Sequence, residues 1–224
     1  MIKNISNLGD AAVYCDFGNE VNKTINSQVI KYFKTIKKNS FEGINNLTPS
    51  YNKLIISFDL NKTSFKKIKN YIENIDLEES QNINSKKLEI PVCCDENFSM
   101  DIKRLEEILK LSREKILEKF LNKEYFCYMT GFIAGMPFLG DLDKNMRVQR
   151  LETPRVKVPK GSVAITEQFT NIYTFESPGG WNILGNTPLD VFDSSKEDNP
   201  NLINPGDTVI FKEISIEQYK NFNE

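Results

Sequence analysis

The segment GSVAITEQFTNIYTFESPGGWNILGNTP, Gly161 to Pro188, decides the fold of the second half of this chain. Within it, Ser162–Ile165, Asn171–Phe175 and Trp181–Leu184 are short runs rich in β-branched and aromatic residues, punctuated by Gly, Pro and Ser. Thr208–Phe211 repeats the pattern further on. Short strands between Gly and Pro turns predict a compact β-barrel rather than a layered α/β fold. Upstream, two short amphipathic helices lead into it. Ile102, Leu105, Ile108 and Leu109 share one face of the first; Ser112 caps the second, which buries Ile116, Leu117 and Phe120. A strand at Tyr125–Met129 then runs into Gly131.

The first third has a different rhythm. Ala11, Val13, Cys15 and Phe17 alternate as a strand. Val21, Ile25, Val29, Phe33 and Ile36 then share a helical face. A short strand at Ile44–Leu47 and an alternating one at Leu54, Ile56 and Phe58 follow. Thr63 or Ser64 caps a second helix with Phe65, Ile68, Ile72 and Ile75 inward. The order β-α-β-β-α is most of a split βαβ, or ferredoxin-like, domain. Leu88–Val92 either completes that sheet or opens the next domain. The polar, aperiodic stretch Glu78–Lys87 reads as a linker. The expectation is an α+β protein with domains at 1–80 and 86–224, the second carrying the two leading helices.

Composition narrows the chemistry. The 224 residues carry a net charge of −2, with 39% hydrophobic and 27% charged residues, so no global field favours nucleic acid or an anionic membrane. The opening MIKNISNLGDAAVYCDF lacks a signal-peptide pattern, and no apolar run approaches the roughly 18 residues of a membrane span. A cytoplasmic protein is expected. Cys15, Cys93, Cys94 and Cys127 show no metal or disulfide spacing and read as buried free thiols. The chain has no histidine, which removes His-dependent nucleophile activation and most catalytic zinc sites. No metal site is predicted. No GxxxxGK[ST] or post-strand GxGxxG phosphate cradle is present.

Candidate functional residues crowd between Gly131 and Pro188. GFIAGMPFLG, Gly131–Gly140, suits either a loop lining a cavity or a packed connection. In QRLETPR, Arg150 and Arg155 can grip a carboxylate or phosphate, or form surface ion pairs. VPKGS, ending at Ser162, is a turn entering a strand. Tyr173 offers a phenol to a ligand or to the core. In SPGGW, Ser177–Trp181, the Gly179 and Gly180 amides can form an anion-binding nest beside the single Trp, or simply a tight turn.

Taken in order, these motifs resemble the family of allophanate hydrolase subunit 1, the KipI kinase inhibitors and the B-type subunits of bacterial 5-oxoprolinase. The family pattern GFxPGFxYL, PRxxxPRxxVPxGSV, a QTGIYP-like strand, SPGGW, IGRTP and PGDxVxF meets GFIAGMPFL, QRLETPRVKVPKGSV, EQFTNIYTF, SPGGW, LGNTP and PGDTVIF here. The N-terminal GDAAVYCDFGNEVNKTINSQV also fits. The resemblance implies a ferredoxin-like N-terminal domain and a cyclophilin-like β-barrel C-terminal domain. It implies substrate contact by Arg150, Arg155, Ser162, Tyr173, Ser177, Gly179, Gly180 and Trp181. Departures fall at Ala134-Gly135-Met136 for Pro-Gly-Phe, Gln149 for Pro, Phe169 for Gln, Asn171 for Gly and Asn186 for Arg, and the position of a common His is Phe120. Two of these exchanges, Gln to Phe169 and Arg to Asn186, predict a pocket short of one amide and one cation.

The resemblance further implies a B-type component of an ATP-dependent 5-oxoprolinase, converting 5-oxo-L-proline to L-glutamate. Its partners would be a homologous-fold C-type component, similar to allophanate hydrolase subunit 2, and an A-type component. ATP then belongs to the assembled complex. The alternatives are a KipI-like inhibitor of a sensor histidine kinase and a degenerate allophanate hydrolase subunit 1-like scaffold. None of these readings involves nucleic acid or a membrane.

Overall fold

Asn22 accepts a hydrogen bond from the Ile25 amide at 2.9 Å and so starts helix α1 at Lys23–Asn39, two residues inside the apolar pattern. Ser64 does the same for α2 (Phe65–Asn74), accepting from Lys67. Both helices belong to the smaller of two compact units into which the computed structural model divides, Met1–Asn84 and Ser85–Glu224. Residues 2–77, 85–196 and 199–222 are described; the expected linker from Glu78 lies outside them as far as residue 84.

The smaller unit is a four-stranded antiparallel sheet. Its strands are β1 (Asn4–Asn7), β2 (Ala12–Asp16), β3 (Ile44–Pro49) and β4 (Lys53–Phe58), in the order β1-β2-β4-β3. Val13, Cys15, Leu54, Ile56 and Phe58 point to one face, where Val29 and Ile36 of α1 and Ile68 and Ile72 of α2 cover them. The edge beside β2 is filled by β1, a strand the apolar pattern does not reveal because NISN is mostly polar. Leu88–Val92 is therefore not needed there, and Lys87–Val92 forms β5 of the other unit.

The larger unit continues with α3 (Ile102–Leu109), α4 (Arg113–Leu121), β6 (Glu124–Thr130), β7 (Pro137–Gly140), β8 (Arg155–Val158), β9 (Ser162–Thr166), β10 (Phe169–Ile172), β11 (Ser177–Gly179), β12 (Asn182–Asn186), β13 (Thr208–Glu213) and α5 (Ile216–Lys220). Seven strands form one mixed, curled sheet in the order β12-β9-β10-β7-β6-β13-β5, with β13 and β5 parallel. Its two edges meet at one end. Cys93, just past β5, and Asn186, at the end of β12, exchange backbone hydrogen bonds of 2.8 and 2.9 Å. The main core lies on the face carrying Tyr125, Cys127, Leu139, Val163, Ile165, Ile172, Leu184 and Phe211, closed by Leu105, Ile116 and Phe120 from α3 and α4. The strand expected at Asn171–Phe175 sits earlier, because Glu167 adopts φ 47 and makes a tight β9–β10 turn without any glycine to mark it.

All four cysteines are free and buried. Burial pushes the Cys15 and Cys94 thiols up to about 12 and raises Cys127 as well, with Glu213 adding to the effect on Cys94. A thiol raised in the folded state stabilises fully below its unfolded pKa of about 8.5 and loses that contribution as pH climbs. Urea midpoints of both units should therefore fall above about pH 8.5. At pH 8 these three thiols should resist alkylation until the protein is unfolded. Rapid native-state labelling by mass spectrometry would contradict this assignment.

Candidate functional site

Strands β8 and β11 form a two-stranded ribbon lying against the sheet face opposite the main core. Packing there sets apart a second cluster: Met136, Val158, Ala164, Tyr173 and Ile183, with Ile133, Phe138 and Trp181 partly buried against it. Strand alternation carries Phe169, Asn171 and then Tyr173 to this face, while Ile172 joins the main core. An aromatic row lines it. Tyr128 meets Phe169 edge-to-face at 5.9 Å, Phe169 meets Phe138 at 6.3 Å, and Phe138 meets Trp181 at 5.6 Å.

Gly179 is the point of closest approach. A Cβ there would stand 2.2 Å from the Tyr173 hydroxyl, so only glycine lets β11 pass over the phenol. Gly180 is less constrained, since a Cβ would meet nothing nearer than 3.6 Å. Neither glycine has positive φ, and Ser177–Gly179 is extended strand paired with β8. The nest expected of SPGGW requires alternating right- and left-handed backbone and does not form. Pairing with β8 has straightened the segment into a wall over Tyr173. The Gly180 carbonyl accepts from Leu151 at 2.7 Å, which fastens the QRLETPR loop to it.

Arg155, opposite Gly179 in the ribbon, donates from Nη2 to Asp101 Oδ1 at 2.5 Å. Asp101 is almost fully buried, and its Oδ2 accepts from the Ile183 amide at 2.7 Å. One carboxylate thus ties β8 to β12 and aims the guanidinium. Arg150 is exposed, yet both arginines act on the Tyr173 phenol. Burial raises the Tyr173 pKa, against the opposing pull of the Trp181 amide, the Asn171 side chain and the Arg155 and Arg150 charges. The phenol is therefore a neutral donor at pH 7.

Three buried side-chain atoms here have no hydrogen-bond partner among the described residues: Arg155 Nη1, Asn171 Oδ1 and Ser177 Oγ. Ser162 is buried at the start of β9, where its carbonyl accepts from the Tyr173 amide at 2.9 Å. Asn186 does not join the cluster. Its Nδ2 donates to the Lys160 carbonyl at 2.9 Å, its Oδ1 accepts from the Tyr219 hydroxyl at 2.6 Å, and its backbone closes the sheet. This asparagine is a structural strut, so a pocket cation is not what its position supplies here.

Asp101 escapes a reading of the sequence because an acid just before a helix looks like a cap; in fact it makes no side-chain cap bond to α3. Asn171 shows in the sequence only as a departure from the family pattern. A groove of about 540 Å³ in the smaller unit, lined by Phe33, Lys37, Phe41, Glu42 and Leu47 among others, holds no comparable set of unpartnered buried polar atoms among the described residues. Among the described residues, no group of three or more His, Cys, Asp or Glu converges to hold a metal ion. No described helix is long and apolar enough to cross a membrane.

Chemically, the cluster is rich in donors, with two guanidinium groups and a neutral phenol, while the Trp181 amide is engaged by that phenol. Such a set binds an anion and polarises a carbonyl. Ser177 has no base at its hydroxyl, so it is not an activated nucleophile. Gly179→Ala should displace the ribbon and lower the melting temperature. Asp101→Ala should destabilise by about 3 kcal/mol, because it strips the buried partner from Arg155. Thermal and urea unfolding check both; wild-type stability in either variant would refute the packing described.

Residues 3–203 match the family described as carboxyltransferase domain, subdomain C and D. The chain is 33% identical to the 5-oxoprolinase B subunit of Bacillus subtilis over 98% of its own length and 96% of that protein. It is 40% identical to the 5-oxoprolinase B subunit of Haemophilus influenzae over 55% of its own length and 58% of that protein. Among solved structures, the protein TTHA0988 superposes with a TM-score of 0.82 at 29% identity, over 91% of this chain but only 40% of that one. The urea carboxylase of Kluyveromyces lactis, at 19% identity and a TM-score of 0.78, shares the fold over 96% of this chain and 22% of its own. With the fold, the site and these matches together, the chain belongs to the carboxyltransferase C-and-D-subdomain family, alongside the 5-oxoprolinase B subunits.

Proposed function

We propose that this chain is the B-type component of an ATP-dependent 5-oxoprolinase, which converts 5-oxo-L-proline to L-glutamate together with C-type and A-type components in the cytoplasm. The observation that carries the reading is the end-to-end match to the Bacillus subtilis B subunit, 33% identical over 96% of its length. The larger unit is read as a cyclophilin-like barrel. The smaller is read as a ferredoxin-like sheet whose edge place β1 has taken.

The donor set suits such a substrate. Arg155 Nη1, with Arg150 nearby, meets the carboxylate, and the Tyr173 phenol donates to the ring carbonyl, raising its electrophilicity. Trp181 and Phe138 supply the apolar wall for the ring methylenes. This arrangement fits ATP poorly. Half of the Arg155 fork is engaged by Asp101, and the sequence has no phosphate loop. No step on this chain is therefore assigned to the nucleotide, and the attacking group comes from a partner.

The test is co-expression with candidate C-type and A-type components, followed by an assay of ATP-dependent glutamate formation from 5-oxoproline. The verified complex should turn over. Arg155→Lys, which keeps the charge and loses the fork, should lower kcat/KM by about 10- to 100-fold. A correctly assembled complex without activity would overturn the proposal.

A further inference from the structure

The three unpartnered polar atoms of the site differ in kind. Arg155 Nη1 is only a donor, Ser177 Oγ is either, and Asn171 Oδ1 is only an acceptor. A simple anion such as acetate or inorganic phosphate answers the arginine and leaves the asparagine oxygen bare. Asn171 is completely buried; its Nδ2 reaches the weakly accepting Met136 sulfur at 3.8 Å, and its Oδ1 has no hydrogen-bond partner among the described residues. Its side chain lies beside the Tyr173 phenol, where it tempers the effect of burial on that group. An amide placed there with its oxygen unpaired lowers the stability of the free protein. Alanine or glycine would carry no such penalty. A ligand N–H pointed at Oδ1 removes it in the bound state.

The neighbouring residues support the same assignment. Phe169 occupies the place where the resembling family carries glutamine, and here it completes the aromatic row between Tyr128 and Phe138. Asn171 lies two residues further on the same face of β10, so an amide returns to this face one strand repeat nearer Tyr173. The amide expected to be missing from the pocket has changed position.

Resting on the reading of this site as a 5-oxoproline site, we propose that Asn171 is a specificity-determining residue whose Oδ1 accepts the N–H of the ligand. The site then selects a carboxylate that carries an amide or lactam N–H over an equally shaped one that carries none.

The test is calorimetric titration of the full chain co-purified with its partner proteins, using 5-oxoproline and the matching lactone in which a ring oxygen replaces the N–H. Wild type should bind the lactam about 10- to 100-fold more tightly than the lactone. Asn171→Leu, which keeps the side-chain shape, should bind the two equally and melt no lower than wild type. Asn171→Ala should also lose the preference, which guards against a packing defect peculiar to leucine. Equal binding of lactam and lactone by wild type, or a preference that persists in both variants, would overturn the role of Asn171 alone. Binding of neither ligand by a verified complex would overturn that role together with the site reading beneath it.

Discussion

A single buried carboxylate, Asp101, holds together the parts from which the site is made. It accepts from Arg155 on the ribbon and from the Ile183 amide on the sheet, so both of its oxygens are answered. An ion pair this deep gains little over an apolar pair of the same shape, because desolvating both charges offsets their attraction. What it supplies is position. With Nη2 held by Asp101, Nη1 is left buried without a hydrogen-bond partner among the described residues. Opposite Arg155 in the ribbon stands Gly179, and beneath Gly179 lies the Tyr173 phenol. A shift of the ribbon would move Arg155 and Gly179 together relative to that phenol.

The scaffold under the site is rigid for a different reason. Its curled sheet packs a continuous apolar core against α3 and α4, and its edges are pinned by the Cys93–Asn186 bridge. Asn186 adds side-chain bonds to Lys160 and Tyr219 at the same corner. Polar residues in this unit differ in how fully their bonds are met. Asn186 and Asp207 have their side-chain bonds met within the protein and maintain the fold. Arg155, Asn171 and Ser177 each keep an atom unmet, as Arg113 and Asn201 do elsewhere in the unit. Buried polar groups without partners are destabilising, and the proposed ligand answers those that lie beside the Tyr173 phenol.

The legible parts of the sequence are those where local chemistry and tertiary packing agree. The capped, periodic helices α1, α2 and α4 and the alternating strands β2 and β4 read directly from apolar spacing and Asn or Ser caps. Gly179 stands over Tyr173 in an extended strand rather than in an anion-binding nest. Its necessity comes from a side chain that only the folded chain brings beneath it. β1, β8 and β11 are short and polar or proline-bearing, and they become strands because a neighbour completes their hydrogen bonds. Asp101 lies 54 residues from Arg155 in sequence, and no local pattern announces such a pair. The Arg-to-Asn exchange at 186 reads in sequence as a lost ligand contact, whereas the tertiary bonds of Asn186 show it engaged elsewhere.

The chain contains one tryptophan, and it stands in this cluster. Its fluorescence therefore reports on the site alone. The most direct measurement of the central claim is a titration of the assembled complex with 5-oxoproline, with tryptophans of the partner proteins replaced by phenylalanine so that Trp181 is the only emitter. A saturable change in Trp181 emission that disappears in Arg155→Ala, with folding verified by circular dichroism, is the predicted result. Calorimetrically proven binding that leaves Trp181 emission untouched and survives Arg155→Ala would place the ligand elsewhere and contradict the account.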